Sequence, residues 1–186
     1  MKKSTFLIIG IVALVLVTVG YSFMQSQRAP QTVTPKTHET YTSKKIGIQF
    51  QHPRIYTVTE GSSEYQGIEH RHLTLVETSA VIPENGEGPT AIAMVEIPET
   101  PTSTLEAWVR ASQISNFQLS SDQKFTHITV GGEPALAYRH SGLYEFDAVA
   151  VAHNGKIYML SASWMDANDK IRTDFKNLLS SVTFTQ

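Results

Sequence analysis

Asn154-Gly155 lies between two apolar runs, and no other part of the chain constrains the fold as strongly. Asn-Gly favours a type I′ turn, in which both central residues must accept positive φ, so the chain reverses here. Before the turn (143–153) Val149 and Val151 alternate with Ala148, Ala150 and Ala152. After it (156–164) Tyr158 and Leu160 alternate with Ile157 and Met159. A strand with one wet face alternates apolar with polar. These two are apolar on both faces, so the hairpin belongs at the centre of a sheet covered above and below.

The flanking elements follow from the same periodicities. Ile46, Ile48 and Phe50 alternate with small or polar residues, predicting a strand over 46–51 that His52-Pro53 stops. A short strand is expected at 56–59, ended by Glu60-Gly-Ser-Ser, and another at 67–78. Residues 83–89 (PENGEGP) form an exposed loop, and 91–97 form a buried strand. Strands at 125–130 and 135–140 meet at Gly131-Gly132. Ser103 and Glu106 make a capping box, with Leu105, Trp108, Val109 and Ser112 on one face of a helix over 103–115. Asp166 and Asp169 open a second helix over 167–181, striped by Ile171, Phe175, Leu178, Leu179 and Val182. The last residues, 182–186, end the chain as a short edge segment. The expected fold class is α/β (α+β): an antiparallel sheet of about six or seven strands sandwiched by helices.

Residues 5–24 are almost wholly apolar and uncharged, following Lys2 and Lys3. Twenty residues at a 1.5 Å rise span about 30 Å, the thickness of a bilayer's hydrocarbon core. The expectation is an N-terminal transmembrane helix over 1–24, with the N-terminus cytoplasmic and the rest extracytoplasmic. The alternative is a signal peptide cleaved from a secreted protein. Ala29 before Pro30 makes a poor cleavage site, and no cysteine follows that could carry a lipid anchor. Residues 25–40 (QSQRAPQTVTPKTHET) are too poor in apolar side chains to fold and form a tether. The domain proper is 41–186, large enough to bury about two thirds of its unfolded surface without disulfides.

The zero cysteine count excludes thiolate metal sites, cysteine nucleophiles and thiol redox chemistry. Four of the 15 bases (Lys2, Lys3, Arg28, Lys36) and one of the 17 acids (Glu39) precede Tyr41, so the domain is net acidic. No basic cluster offers a nucleic-acid footprint, and the balance argues against adhesion to an anionic membrane surface. Gly131-Gly132 joins strand to strand, with no helix N-terminus to receive a phosphate.

Ser141, Ser161 and Ser163 lack the G-x-S-x-G elbow, so hydrolase chemistry has little support. His70 and His72 are two apart on one strand, beside Glu69 and Glu77, and could furnish part of a transition-metal site. No third ligand is visible. The plainer reading is a solvated strand face with Leu73 and Leu75 pointing inward. Trp108 and Trp164 are expected as core anchors and His153 as an exposed residue flanking the turn. Asp166 with Asp169 marks a helix start, lacking the spacing of a calcium loop.

Tyr41…Gly47-Ile48-Gln49-Phe50…His52-Pro53…Tyr56-Thr57-Val58, then Gly131-Gly132-Glu133-Pro134-Ala135, then Phe175…Leu178-Leu179-Ser180-Ser181-Val182-Thr183-Phe184 together resemble the PsbP-like family, the fold of the extrinsic photosystem II subunit and its bacterial relatives. The resemblance spans 41–184. It implies an antiparallel sheet between helices, in a family with many non-catalytic, membrane-associated or secreted members. It does not imply a photosynthetic role. The functional expectation is a membrane-anchored extracytoplasmic binding or assembly module, not an enzyme and without a cofactor, contacting the bilayer through residues 5–24 and an envelope protein or surface component through its domain. The alternative is a metal- or small-ligand-binding domain using His70 and His72.

Overall fold

The computed structural model describes residues 37–186 apart from Gln66, Pro83, Asn85, Thr100, Thr102, Ser103 and Gln186. The expected transmembrane helix and most of the expected tether lie outside the described residues. Among those described, no helix is long and apolar enough to cross a membrane.

The strands and helices run β1 His38–Ser43, β2 Ile48–Pro53, β3 Tyr56–Tyr65, β4 Ile68–Glu77, β5 Ala91–Ile97, α1 Leu105–Ala111, β6 Thr126–Val130, β7 Glu133–Ser141, β8 Glu145–His153, β9 Lys156–Trp164, α2 Lys170–Ser181 and β10 Thr183–Phe184. A 3-10 turn at Phe117–Leu119 follows α1. One seven-stranded sheet has the order β3-β4-β5-β9-β8-β7-β6, and a second sheet has the order β1-β2-β10. Every pairing is antiparallel.

β9 is the middle strand of the large sheet, where its two-faced apolarity predicts it. Val149, Val151, Tyr158 and Leu160 pack on one face against Ile48, Phe50, Phe175 and Leu178, from the small sheet and α2. Ala148, Ala150, Ile157 and Met159 pack on the other with Val109 and Phe117. The Tyr158 hydroxyl donates to the Ile46 carbonyl at 3.0 Å, tying the two sheets together. Asn154 and Gly155 have φ of 47° and 74°, the geometry their turn requires. At Gly131, where φ is +60°, an added Cβ would come within 2.7 Å of the Phe184 ring, so glycine is required there twice over.

Several boundaries differ from expectation, each for a local reason. β1 begins at His38, three residues before the expected start of the domain, because its ladder with β2 extends from Ser43↔Ile48 to His38↔Pro53. β3 does not stop at Glu60-Gly-Ser-Ser but pairs with β4 out to Tyr65↔Ile68. The His72 imidazole lies over Gly61, where a Cβ would be 2.7 Å from its Nε2. Glycine here admits a neighbour instead of breaking the strand. Ser103 lies outside the described residues; α1 is capped by Thr104, whose hydroxyl accepts from the Ala107 N–H at 3.1 Å. The helix ends at Ala111 rather than 115. Ser115 Oγ donates to the Val109 and Ser112 carbonyls (2.6 and 2.8 Å), replacing continued helix with a turn. α2 starts at Lys170 because Asp169 accepts the Met165 and Asp166 amides and Asp166 accepts that of Asn168, so both carboxylates organise the turn before the helix.

Candidate functional site

The large sheet has two distinct ends. One carries the β3–β4, β6–β7 and β8–β9 turns. At this end a cavity of about 360 Å³ opens between the β3–β4 hairpin and α1, lined by Tyr65, Ile68, His70, Glu99, Trp108 and Ile114, among others. Its size falls at the small end of the range for ligand pockets.

Each wall follows from the local fold. β5 ends at Ile97, and the chain turns so that Glu99 receives a hydrogen bond from the Trp108 indole N–H at 3.1 Å. The Tyr65 hydroxyl, on the last residue of β3, donates to Gln113 Oε1 at 3.0 Å and bridges the hairpin to the segment after α1. The Tyr65 ring lies 6.0 Å from that of His70. His70 is 4 % exposed, and its Nε2 has no hydrogen-bond partner. A buried polar atom without a partner carries a desolvation cost and marks a position where a ligand group or a water would be stabilised. Two aromatic rings, a carboxylate already engaged and one free imidazole nitrogen suit a small amphipathic group carrying a donor or an acceptor.

His70 therefore departs from the solvated face expected for the pair. Leu73 and Leu75 do point inward, fully buried, but on the opposite face Glu99, Trp108 and residues 111–114 lie over His70 and bury it, while His72 stays half-buried over Gly61. Among the described residues, no group of three or more His, Cys, Asp or Glu side chains could hold a metal ion. We expect His70→Ala to destabilise the protein by about 1–3 kcal/mol, a buried-site cost, and His72→Ala to cost less; chemical denaturation of the two variants checks the order.

The other sequence candidates have structural roles. Ser141 Oγ donates to Glu145 and Ser163 Oγ to the Ala91 carbonyl. Trp164 is a core residue, with the Arg172 guanidinium 4.1 Å from its ring centre. Trp108 is only half-buried and walls the cavity. His153 is not exposed: its ring stacks on Phe184 at 4.4 Å and its Nδ1 lies 2.9 Å from Glu133, because β10 brings the chain end across it.

His140 went unnoticed in the sequence. It is buried and stacked on Phe146 at 4.6 Å, and burial lowers its pKa below the usual 6.5, with Glu145 opposing. The folded state thus resists a proton that the unfolded chain accepts. Its contribution to stability is complete above about pH 6.5 and is lost as pH falls through the lower folded value. His140→Phe should flatten this part of the stability profile, measured by denaturant unfolding between pH 5 and 7.5.

No family model matches the sequence, and no curated protein matches it. The fold is nonetheless recognisable: a mostly antiparallel sheet with two helices, PsbP-like in architecture. Among solved structures it is similar to the solution structure of cyanobacterial PsbP (CyanoP) from Synechocystis sp. PCC 6803, with a TM-score of 0.53 and 15% identity over 86% of this chain and 99% of that one.

Proposed function

We propose that this protein is a non-enzymatic binding or assembly module, anchored by residues 5–24 with its N-terminus cytoplasmic, and that its extracytoplasmic domain contacts another envelope protein or surface component. The observation that carries this reading is the placement of chain and cavity at opposite ends of the fold. The Arg54 amide donates to the Thr37 carbonyl, so the chain joins the domain beside the β2–β3 turn. The cavity lies at the other end of β3, a strand of 10 residues, about 33 Å away at 3.3 Å per residue. A domain tethered at one end presents the other outward. The PsbP-like fold is compatible with this role but carries no function with it.

Protease added to intact cells or spheroplasts should remove the domain and leave the apolar segment protected. Cross-linking from a probe at Tyr65 or Gln113 should capture a partner that a probe at the opposite end misses. Retention of the whole chain under protease, or equal capture from both ends, would overturn the reading.

The unpartnered Nε2 of His70 favours a second reading, a small-ligand or metal site in the same cavity. With only one buried imidazole there, zinc should leave the melting temperature at pH 7.5 unchanged. A rise of several degrees that disappears in His70→Ala would establish the metal site.

A further inference from the structure

Large apolar side chains scattered singly over a surface are ordinary; grouped at one place they mark a contact. Among the described residues five of the seven exposed ones are grouped, while Tyr65 ends β3 at the other end and Leu119 lies in the 3-10 turn. Val81 is 85 % exposed, Met165 76 %, Ile82 73 %, Leu143 67 % and Ile55 45 %. The five residues come from four separate connections, yet all four lie at one end of the large sheet. Ile55 precedes β3, and Val81 and Ile82 lie between β4 and β5. Leu143 joins β7 to β8, and Met165 follows β9. The ladders place these positions together through Tyr56↔Glu77, Val76↔Ala91, Ile92↔Ala162 and Glu145↔Trp164. Hydrogen bonds join the loops, from the Thr78 amide to the Ile55 carbonyl at 2.8 Å and from the Tyr144 hydroxyl to the Gly88 carbonyl at 2.6 Å.

This is also the end where the chain joins the domain, since Thr37 is bonded to Arg54 beside Ile55. Only twelve residues, 25–36, separate Thr37 from the apolar segment 5–24. Twelve residues can reach at most about 40 Å, at full extension. On the anchored reading of residues 5–24, on which this rests, the apolar end must sit within that distance of the bilayer.

We infer that this end of the domain docks on the lipid bilayer, with Ile55, Val81, Ile82, Leu143 and Met165 dipping into the interfacial region. The attraction is apolar. Exposed acids, Glu77, Glu84, Glu87 and Asp166, lie in or beside the same loops, so anionic lipid does not strengthen it.

The chain has no cysteine, so single labels are easily placed. Met165→Cys, Val81→Cys and Thr129→Cys, the last exposed near the far end, each carry an environment-sensitive fluorophore on the full chain in phosphatidylcholine vesicles. Labels at 81 and 165 should shift to the blue and be quenched by doxyl-labelled lipid, while the label at 129 remains aqueous. The shift should persist in high salt and not increase when anionic phosphatidylglycerol is added. Chain that floats with vesicles while its labels at 81 and 165 stay aqueous would overturn the docking and leave the anchor intact. Chain that does not float would overturn both. A blue shift without lipid quenching, lost when the chain is diluted among more vesicles, would show instead that a second copy covers this end.

Discussion

Phe50→Ala is expected to lower stability by about 3–5 kcal/mol, the range for removing a large ring from a core that cannot close around the gap. Phe50 has no exposed surface, and its ring lies 5.6 Å from that of Tyr41. It projects from the small sheet into the core shared with β9 and α2, where both neighbouring layers are held by their own ladders. Little collapse is possible. For a domain of this length the change corresponds to a fall in melting temperature of about 6–20 °C, measurable by circular dichroism. Phe50→Leu, which keeps most of the volume, should cost under about 1.5 kcal/mol. A neutral Phe50→Ala would mean that the small sheet does not pack over the large one.

Asp147→Ala is expected to cost about 2–4 kcal/mol, because it strands a cation. Arg172 reaches from α2 to Asp147 on β8 with two hydrogen bonds, 2.7 Å from Nε and 3.1 Å from Nη2. A third, at 2.7 Å, goes to the Ala167 carbonyl, while the guanidinium lies on the Trp164 ring. The carboxylate also holds the guanidinium's pKa above its usual value. Side-chain exposure of 11 % for Arg172 and 18 % for Asp147 puts the cost below that of a fully buried pair. Arg139, also bonded to Asp147 at 3.0 Å, is 64 % exposed and can turn to solvent when the carboxylate goes. Asp147→Ala combined with Arg172→Met should recover part of the loss, since no buried charge then lacks a partner. Full additivity of the two changes would show that the ion pair is not what holds α2 to β8.

The large sheet was legible because its signals are local. Two apolar faces around Asn154-Gly155 specify a covered central hairpin, and both the hairpin and its central place follow from alternation and turn chemistry. The amphipathic stripe of α2 is equally local, and Ile171, Phe175 and Leu178 are buried as it predicts. The small sheet was not legible as a sheet. β10 is two residues long and pairs with β2 across more than 130 positions of sequence, so no periodicity within it could announce the pairing. The extension of β3 past Gly61 escaped for a related reason, since what continues it is a partner strand.

The candidate site shows the same division. Alternation along β4 places His70 and His72 opposite Leu73 and Leu75, so sequence alone determined that the two imidazoles share a face and that this face is not the main core. Whether that face is wet depends on the chain after β5. Glu99, Trp108 and Gln113 fold back over the β3–β4 hairpin, burying His70 and leaving its Nε2 without a partner. The apolar end of the domain is divided similarly. Val81, Leu143 and Met165 lie in connections between strands, which alternation and turn residues place in sequence, but four connections meet at one end only because antiparallel pairing brings alternate turns together. Sequence by itself determined most of the longer elements and the faces they turn to the main core, because strand and helix periods are short-range properties of the chain. The tertiary structure alone decided which surfaces face each other, because burial of a side chain is a property of its neighbours in space.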